Sequence, residues 1–243
     1  MSNQGALLSG LKPAISCLAK PTYLKEHALF AVKEAIITHQ LKPNELYSES
    51  ILAQKLGVSR TPVREALISL ASQGFVNTVR GRGFRVNIWD KKKVLEIYRF
   101  RKVLELATVK FASPRMTADV VAKLKEIHTE ELEATEKKDT RAHQLADRAI
   151  HMTLAAQADN GYLLSSMAGM RDLVEWVGFE LIRQRPDLQK KYSNEHLELI
   201  AALEQGDHGL AESVMSRHID RGRVSVIKAL DEAGARQEGS EGT

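Results

Sequence analysis

The run Gly57 to Leu67, GVSRTPVREAL, restricts what its surroundings can fold into more than any other stretch of this chain. Gly57 interrupts the preceding helical pattern. Ser59 is placed to cap the next helix, and Pro62 falls in a first turn, where a missing N–H is tolerated. A turn feeding a helix is therefore expected. Val63, Ala66, Leu67 and Leu70 recur along it with helical spacing and make an apolar face. Arg60 and Arg64, four residues apart, project together from another face near its N-terminal end. Such a helix packs on one side and presents cations to a polyanion on the other.

The flanking sequence extends this reading. Leu24, Ala28, Val32, Ala35 and Ile36 follow a helical period from about Thr22 to His39, and Lys42-Pro43-Asn44 then marks a turn. A second helix is expected from Ser48, acting as its cap, through Leu56. Beyond the central helix, Phe75 to Val79 and Phe84 to Ile88 have β character and are separated by Arg80-Gly81-Arg82-Gly83, which predicts a hairpin with a basic tip. Three helices and such a hairpin make a winged helix-turn-helix. The wing glycines would permit close backbone approach to DNA, where Arg80 and Arg82 would contact phosphate or enter the minor groove. Charge is distributed to match: residues 1 to 88 hold 11 Lys+Arg against 5 Asp+Glu, whereas the remainder holds 24 against 26. A basic head on a nearly neutral body suits a nucleic-acid reader joined to a sensing or dimerising unit.

The run LKPNELYSESILAQKLGVSRTPVREALISLASQGFVNTVRGRGFRV resembles the DNA-binding domain of the GntR family of bacterial transcription regulators over roughly residues 24 to 88. The resemblance implies DNA contacts from Ser59, Arg60, Thr61 and Arg64 on the recognition helix and from Arg80 and Gly81 on the wing. Arginine suits base reading, because its planar fork can bond guanine O6 and N7 together. Some family members carry an arginine contact near the start of the second helix; this chain has Ser50 there, so that contact is not carried over.

After Trp89-Asp90 the β signal ends. Helices are expected over about 91–112, 117–137, 139–158, 161–184, 188–205 and 208–232, with breaks at Pro114, Lys138-Asp139, Asn160-Gly161, Pro186 and Gly206-Asp207. The fold class is thus mainly α. An N-terminal tail (1–21) precedes the winged helix-turn-helix with its small β-hairpin wing (22–88), an all-α bundle follows (89–232), and a Gly, Glu and Ser-rich disordered tail ends the chain (233–243). In the first bundle helix, Arg101 and Glu105 fall on the apolar stripe of Val94, Ile97, Tyr98, Leu104 and Thr108. Inward charges need partners, and the residues leave open whether these two pair with each other or Arg101 reaches a bound anion. Arg171, on the stripe of Leu164, Met167, Met170 and Val174, reads either as a second cation for the same pocket or as half of a structural ion pair.

Asp147 and His151 share a helix face, a spacing that lets a carboxylate and an imidazole converge on one ion. His196 and His218 are equally distant from Asp207, so a helix hairpin folded there would bring them opposite one another. His143 is also four residues from Asp147, and spacing alone does not choose between the two histidines. The segments YRFRKVLELA from Tyr98, DRAIHMTLAAQADN from Asp147 and EHLELIAALEQGDHGLAESVMSRH from Glu195 resemble the effector-binding and dimerisation domain of the FadR subfamily. In its metal-containing members the ligand motif matches Asp147, His151, His196 and His218. Ile150 stands where an aromatic residue often precedes the first of these histidines. Three imidazoles and a carboxylate suit a transition metal, Zn²⁺ or alternatively Ni²⁺, better than Mg²⁺ or Ca²⁺.

Together these readings describe a ligand-responsive repressor. It would bind a palindromic double-stranded DNA operator as a homodimer and be released by a small carboxylate held at the metal and Arg101. Two other classes compete: a metal-dependent enzyme on a DNA-binding head, in which Glu195 or Glu198 would act as base, and a nonspecific architectural DNA binder. No nucleophile motif or phosphate loop accompanies the ligand set, which argues against catalysis. Cys17 is the only cysteine, which excludes an internal disulfide. The first twenty residues lack a signal-peptide pattern and no stretch approaches ~20 consecutive apolar residues, so a cytoplasmic chain with no membrane partner is expected.

Overall fold

The computed structural model describes residues 21–240 of the 243. Two compact units meet at the 88/89 boundary, and both conform to the expected class, a winged helix-turn-helix and an all-α bundle. Nearly all of the expected N-terminal tail lies outside the described residues.

In the first unit α1 (Pro21–Ile37) is followed by β1 (Leu46–Tyr47), α2 (Glu49–Leu56), α3 (Arg60–Ser72), β2 (Val76–Val79) and β3 (Gly83–Val86). The strands form one antiparallel sheet in the order β1-β3-β2, with Tyr47 opposite Phe84 and Val76 opposite Val86. Ala28, Val32 and Ile36 of α1 and Val63, Leu67 and Leu70 of α3 are buried, as the helical period requires. Gly57 closes α2 in the left-handed conformation, φ 68°, with its N–H directed at the carbonyls of Ala53 and Gln54. Pro62 is the third residue of α3, among the N–H groups that lack an intrahelical acceptor in any case. One expectation is corrected. Ser48 and Ser59 occupy N-cap positions with extended backbones, but neither side chain makes a capping hydrogen bond.

The short strand β1 was not foreseen, since two residues carry no readable alternation. It exists because Gly83 admits it. At φ 122° this glycine lies against the Tyr47 carbonyl, and a Cβ would collide with that oxygen. Gly83 therefore serves sheet packing, whereas Gly81, φ 71° at the wing tip, has open space around it.

The second unit contains α4 (Lys91–Ala112), a short 3₁₀ turn (Ser113–Arg115), α5 (Ala118–Glu136), α6 (Thr140–Gln157), α7 (Gly161–Gln184), α8 (Pro186–Glu204) and α9 (His208–Ser240). Most breaks are capped by the residues that announced them. Asp90, Thr117, Asp139, Asn160 and Asp207 accept from the backbone N–H three residues on. Lys138 and Gly206 supply left-handed conformations just before two of these caps. The helix α9 continues to Ser240, past the expected end at residue 232. Ala233, Ala235, Arg236 and Gln237 are good helix formers and favour elongation of a helix already nucleated, against the cost of Gly234 and Gly239. Helix α4 packs against α6, α7 and α9, α5 against α6 and α8, and α8 against α9. The main core joins Val94, Leu124, Ile150, Leu154, Leu199, Leu203, Met215 and Ile219. No helix among the described residues is long and apolar enough to cross a membrane.

Candidate functional site

In the first unit, α3 turns Ser59, Arg60, Thr61, Arg64, Glu65 and Ile68 to solvent while Pro62, Val63, Ala66 and Leu67 are buried. The exposed set is one continuous helix face. Arg60 Nη2 lies 3.7 Å from Glu49 Oε2 at the start of α2, which biases the direction of its guanidinium. Ser50, beside Glu49, is exposed. Arg80, Gly81 and Arg82 are exposed at the wing, where Arg82 N–H donates to the Val79 carbonyl at 3.0 Å and closes the turn.

In the second unit, one turn of α6 carries Asp147 and His151, α8 carries His196 and α9 carries His218. The packing of these helices brings one potential ligand atom from each residue within 4.8 Å of all the others. Ring centroids are 5.3 Å apart for His151 and His196, 5.4 Å for His151 and His218, and 4.7 Å for His196 and His218. Asp147 Oδ1 is 3.9 Å from His151 Nε2 and 3.6 Å from His196 Nε2. All three imidazoles are buried.

A glutamate stands behind each imidazole. His151 Nδ1 is 2.7 Å from Glu105, His196 Nδ1 2.9 Å from Glu131, and His218 Nδ1 3.2 Å from Glu195. An ionised carboxylate only accepts, so each Nδ1 carries the proton and each Nε2 keeps its lone pair. Burial pushes the Glu105 carboxyl up, but His151, Arg101 and Arg171 outweigh it and hold it at about 2. The same opposition, with His196, His143 and His128 as the lowering neighbours, keeps Glu131 below the usual carboxylate range. Burial prevails at Glu195, whose carboxyl is raised despite Arg221 and Arg217. Burial first, then the neighbouring imidazoles and arginines, drives His218 well below its ordinary value and so favours the neutral form that binds metal.

Whether these residues fit a metal ion is decided by the inward nitrogens. The Nε2 atoms of His151 and His196 are buried and have no hydrogen-bond partner. That arrangement is costly unless something electrophilic occupies the space between them. His218 Nε2 has only Arg101 Nη2, at 3.5 Å. The donor set therefore fits a transition metal, with carboxylates outside it to fix each ring.

Arg101 and Arg171 are also buried. Arg101 Nε donates to Glu105 Oε1 at 3.3 Å, and Arg171 Nη2 donates to Asp147 Oδ2. Asp147 thus turns one oxygen towards the histidines and the other towards an arginine. Arg171 Nε and Nη1 lack hydrogen-bond partners, and burial followed by the repulsion of Arg101 lowers its pKa to about 10. Both guanidiniums border a cavity of ≈ 40 Å³. His143, the other histidine spaced four from Asp147, has Nδ1 3.1 Å from the Thr135 hydroxyl and Nε2 4.0 Å from Glu131. It lines the cavity outside the ligand cluster. The orienting role of Glu131 was missed in the sequence, yet its position on the stripe of Val121, Leu124, Ile127 and Ala134 was a readable sign of an inward charge.

Residues 24–86 match the family described as bacterial regulatory proteins, gntR family, and residues 96–221 match the FCD domain. The transcriptional regulator McbR of Escherichia coli is 31% identical over 203 residues, spanning 77% of this chain and 87% of its own. The chain belongs to the GntR family. Its FCD domain places it in the FadR/FCD subfamily. The Nta operon transcriptional regulator of Aminobacter aminovorans is 26% identical, with 80% and 90% of the two chains covered. The E. coli repressor GlaR is 26% identical, with 77% and 89% covered. The solved structure of E. coli McbR/YncC has the same fold, with a TM-score of 0.77 at 23% identity over 85% of this chain and 98% of the other. The GntR-family protein is a transcription regulator with an effector domain, not an enzyme, and its helix-turn-helix is a DNA-binding unit.

Proposed function

We propose that this GntR-family protein is a dimeric cytoplasmic repressor whose FCD domain holds a transition metal, Zn²⁺ or Ni²⁺, and releases DNA when a small carboxylate binds there. The reading rests on one observation above all. Asp147, His151, His196 and His218 converge with two unpartnered inward nitrogens beside two buried arginines. The metal would supply a Lewis-acidic position for a carboxylate oxygen. Arg101 and Arg171 would hold the remaining charge through charge-assisted hydrogen bonds. On the DNA side, Arg60, Thr61 and Arg64 would read base edges, and Ser59, Arg80 and Gly81 would contact the backbone or minor groove.

Dimerisation is supported by α4. Phe100, Val103 and Phe111 are exposed there on one stripe, an apolar surface that a second copy would cover. Repression matches what the name of its relative GlaR states. Effector release requires the carboxylate to favour one arrangement of the heads over another. The test is fluorescence anisotropy on an operator selected from random duplexes, with Zn²⁺-loaded and metal-stripped protein, titrated with short carboxylic acids. Acid-induced release that depends on metal is expected. Operator affinity indifferent to both metal and every acid would overturn the proposal.

A further inference from the structure

Ile68 is out of keeping with the rest of the solvent face of α3. It is 59% exposed, on the face shared by Arg60, Thr61, Arg64 and Glu65. At about 100° per residue that face spans roughly 140° of the helix, and Ile68 falls within about 10° of its middle. Arg60 and Glu65 mark the edges. The buried residues Val63, Ala66, Leu67 and Leu70 take the opposite side. Ile68 therefore points directly away from the core of its own unit.

Nothing local recommends isoleucine there. Its helix propensity is below that of lysine, glutamine or alanine, and most of its side chain is left in water. A position facing phosphate calls for a cation or a hydrogen-bond donor, and isoleucine is neither. Arg60, Thr61, Arg64 and Ile68 line one shallow depression. The surface that offers hydrogen bonds to a base edge thus continues onto aliphatic carbon. Among the groups exposed in the major groove, the 5-methyl of thymine is the one that matches such a wall.

Resting on the base-reading role given to α3 above, we propose that Ile68 is a specificity-determining residue that packs on a thymine 5-methyl group in the major groove. Its place in the site follows from the helix rise. Ile68 lies four residues, about 6 Å, beyond Arg64, and successive bases are about 3.4 Å apart. The thymine therefore lies within about two base pairs of the pair read by Arg64.

The test uses the full-length protein and an operator selected from random duplexes. Each thymine is replaced in turn by uracil, which keeps every hydrogen-bonding group of the base and lacks only the methyl. Affinity is read by fluorescence anisotropy at fixed salt. One thymine inside that window should show about a fourfold loss, the factor expected for one methyl group left unburied. Ile68→Ala should bind the thymine and uracil duplexes equally, and Ile68→Leu should retain the difference. Alanine favours the helix and the position is exposed, so the variant keeps its fold. Both variants should discriminate normally at the base pair read by Arg64, located as the position whose substitution no longer matters in Arg64→Ala. An operator with no thymine in the window, no loss on uracil substitution there, or a loss that persists in Ile68→Ala overturns the assignment while base reading by Arg64 stands. A lower sedimentation coefficient for DNA-free Ile68→Ala would place the side chain in a protein contact and overturn it as well. If Arg64→Ala weakens cognate and random duplexes alike, base reading by α3 fails and the role of Ile68 fails with it.

Discussion

Replacing Glu131 with glutamine isolates what the carboxylate behind His196 contributes. Its oxygens lie 2.9 and 3.1 Å from His196 Nδ1 in a fully buried position, and its next neighbour, His143 Nε2, is 4.0 Å away. Glutamine is nearly isosteric, and its carbonyl can still accept from Nδ1–H. Ring orientation should survive while the charge that makes the ring a better donor to an ion is lost. Removing an outer partner of this kind costs about 10- to 100-fold in metal affinity. With the hydrogen bond kept, Glu131→Gln should fall near the low end, about tenfold or ~1.4 kcal/mol. Among the described residues no arginine is paired with Glu131, so the metal-free protein should lose little stability. Glu105→Gln provides the contrast. Glu105 is bonded to His151 and is the counter-ion of Arg101, with Arg171 Nη1 3.7 Å away. Its loss strands buried positive charge, a change that costs about 3–5 kcal/mol. The assays are competition for Zn²⁺ with a chromophoric chelator at fixed pH and thermal unfolding of metal-stripped protein. Unchanged Zn²⁺ affinity in Glu131→Gln, alongside clear loss in His196→Ala, would refute the orienting role. Equal destabilisation of the metal-free protein by the two glutamine variants would refute the assignment of Glu105 as counter-ion.

Three further outcomes are expected. Arg64→Ala should cost about 1–3 kcal/mol on a cognate duplex and little on a random one, whereas Arg80→Ala should weaken both and reduce the salt slope by about one; salt-dependent anisotropy separates them, and equal effects of Arg64→Ala on the two duplexes would exclude base reading. Burial is the main cause that raises Tyr47 to about 12, with Glu45 adding to it against the Lys42 N–H that donates to its oxygen. A raised acid stabilises the fold in its protonated form, so this contribution is complete below the ordinary tyrosine value near 10 and is lost as pH climbs towards 12. Thermal unfolding should show the loss over that window and a smaller one in Tyr47→Phe; identical pH slopes in the two proteins would contradict it. Finally, Phe100→Asp with Val103→Asp should convert a dimer to a monomer in sedimentation experiments while helicity is retained, and an unchanged sedimentation coefficient would place the dimer contact elsewhere.

Much of this chain was legible because the signals are local. The turn at Gly57, the proline in the first turn of α3 and the β runs around Arg80-Gly81 act within a few residues, and their conformational preferences hold whatever lies further away. The bundle helices were likewise bounded by their own caps. Even the inward placement of Arg101, Glu105 and Arg171 follows from a 3.6-residue period. What the sequence by itself determined was therefore the fold class, the DNA-binding head and a set of polar residues turned into an apolar interior.

Tertiary structure decided which of those residues meet. Asp147 has a histidine four residues to either side, and nothing local separates His143 from His151. The choice belongs to α5, whose Thr135 and Glu131 engage His143, and to α4, whose Glu105 engages His151. The strand β1 likewise depends on Gly83, 36 positions beyond Tyr47, being small enough for that carbonyl to approach. The cavity bordered by Arg101, His143, Arg171 and His218 exists only where α4, α6, α7 and α9 pack together. Helix periodicity assigns a side chain to the interior, but the identity of its neighbour there depends on how separate helices pack. That packing is set by the shape and volume of many side chains at once.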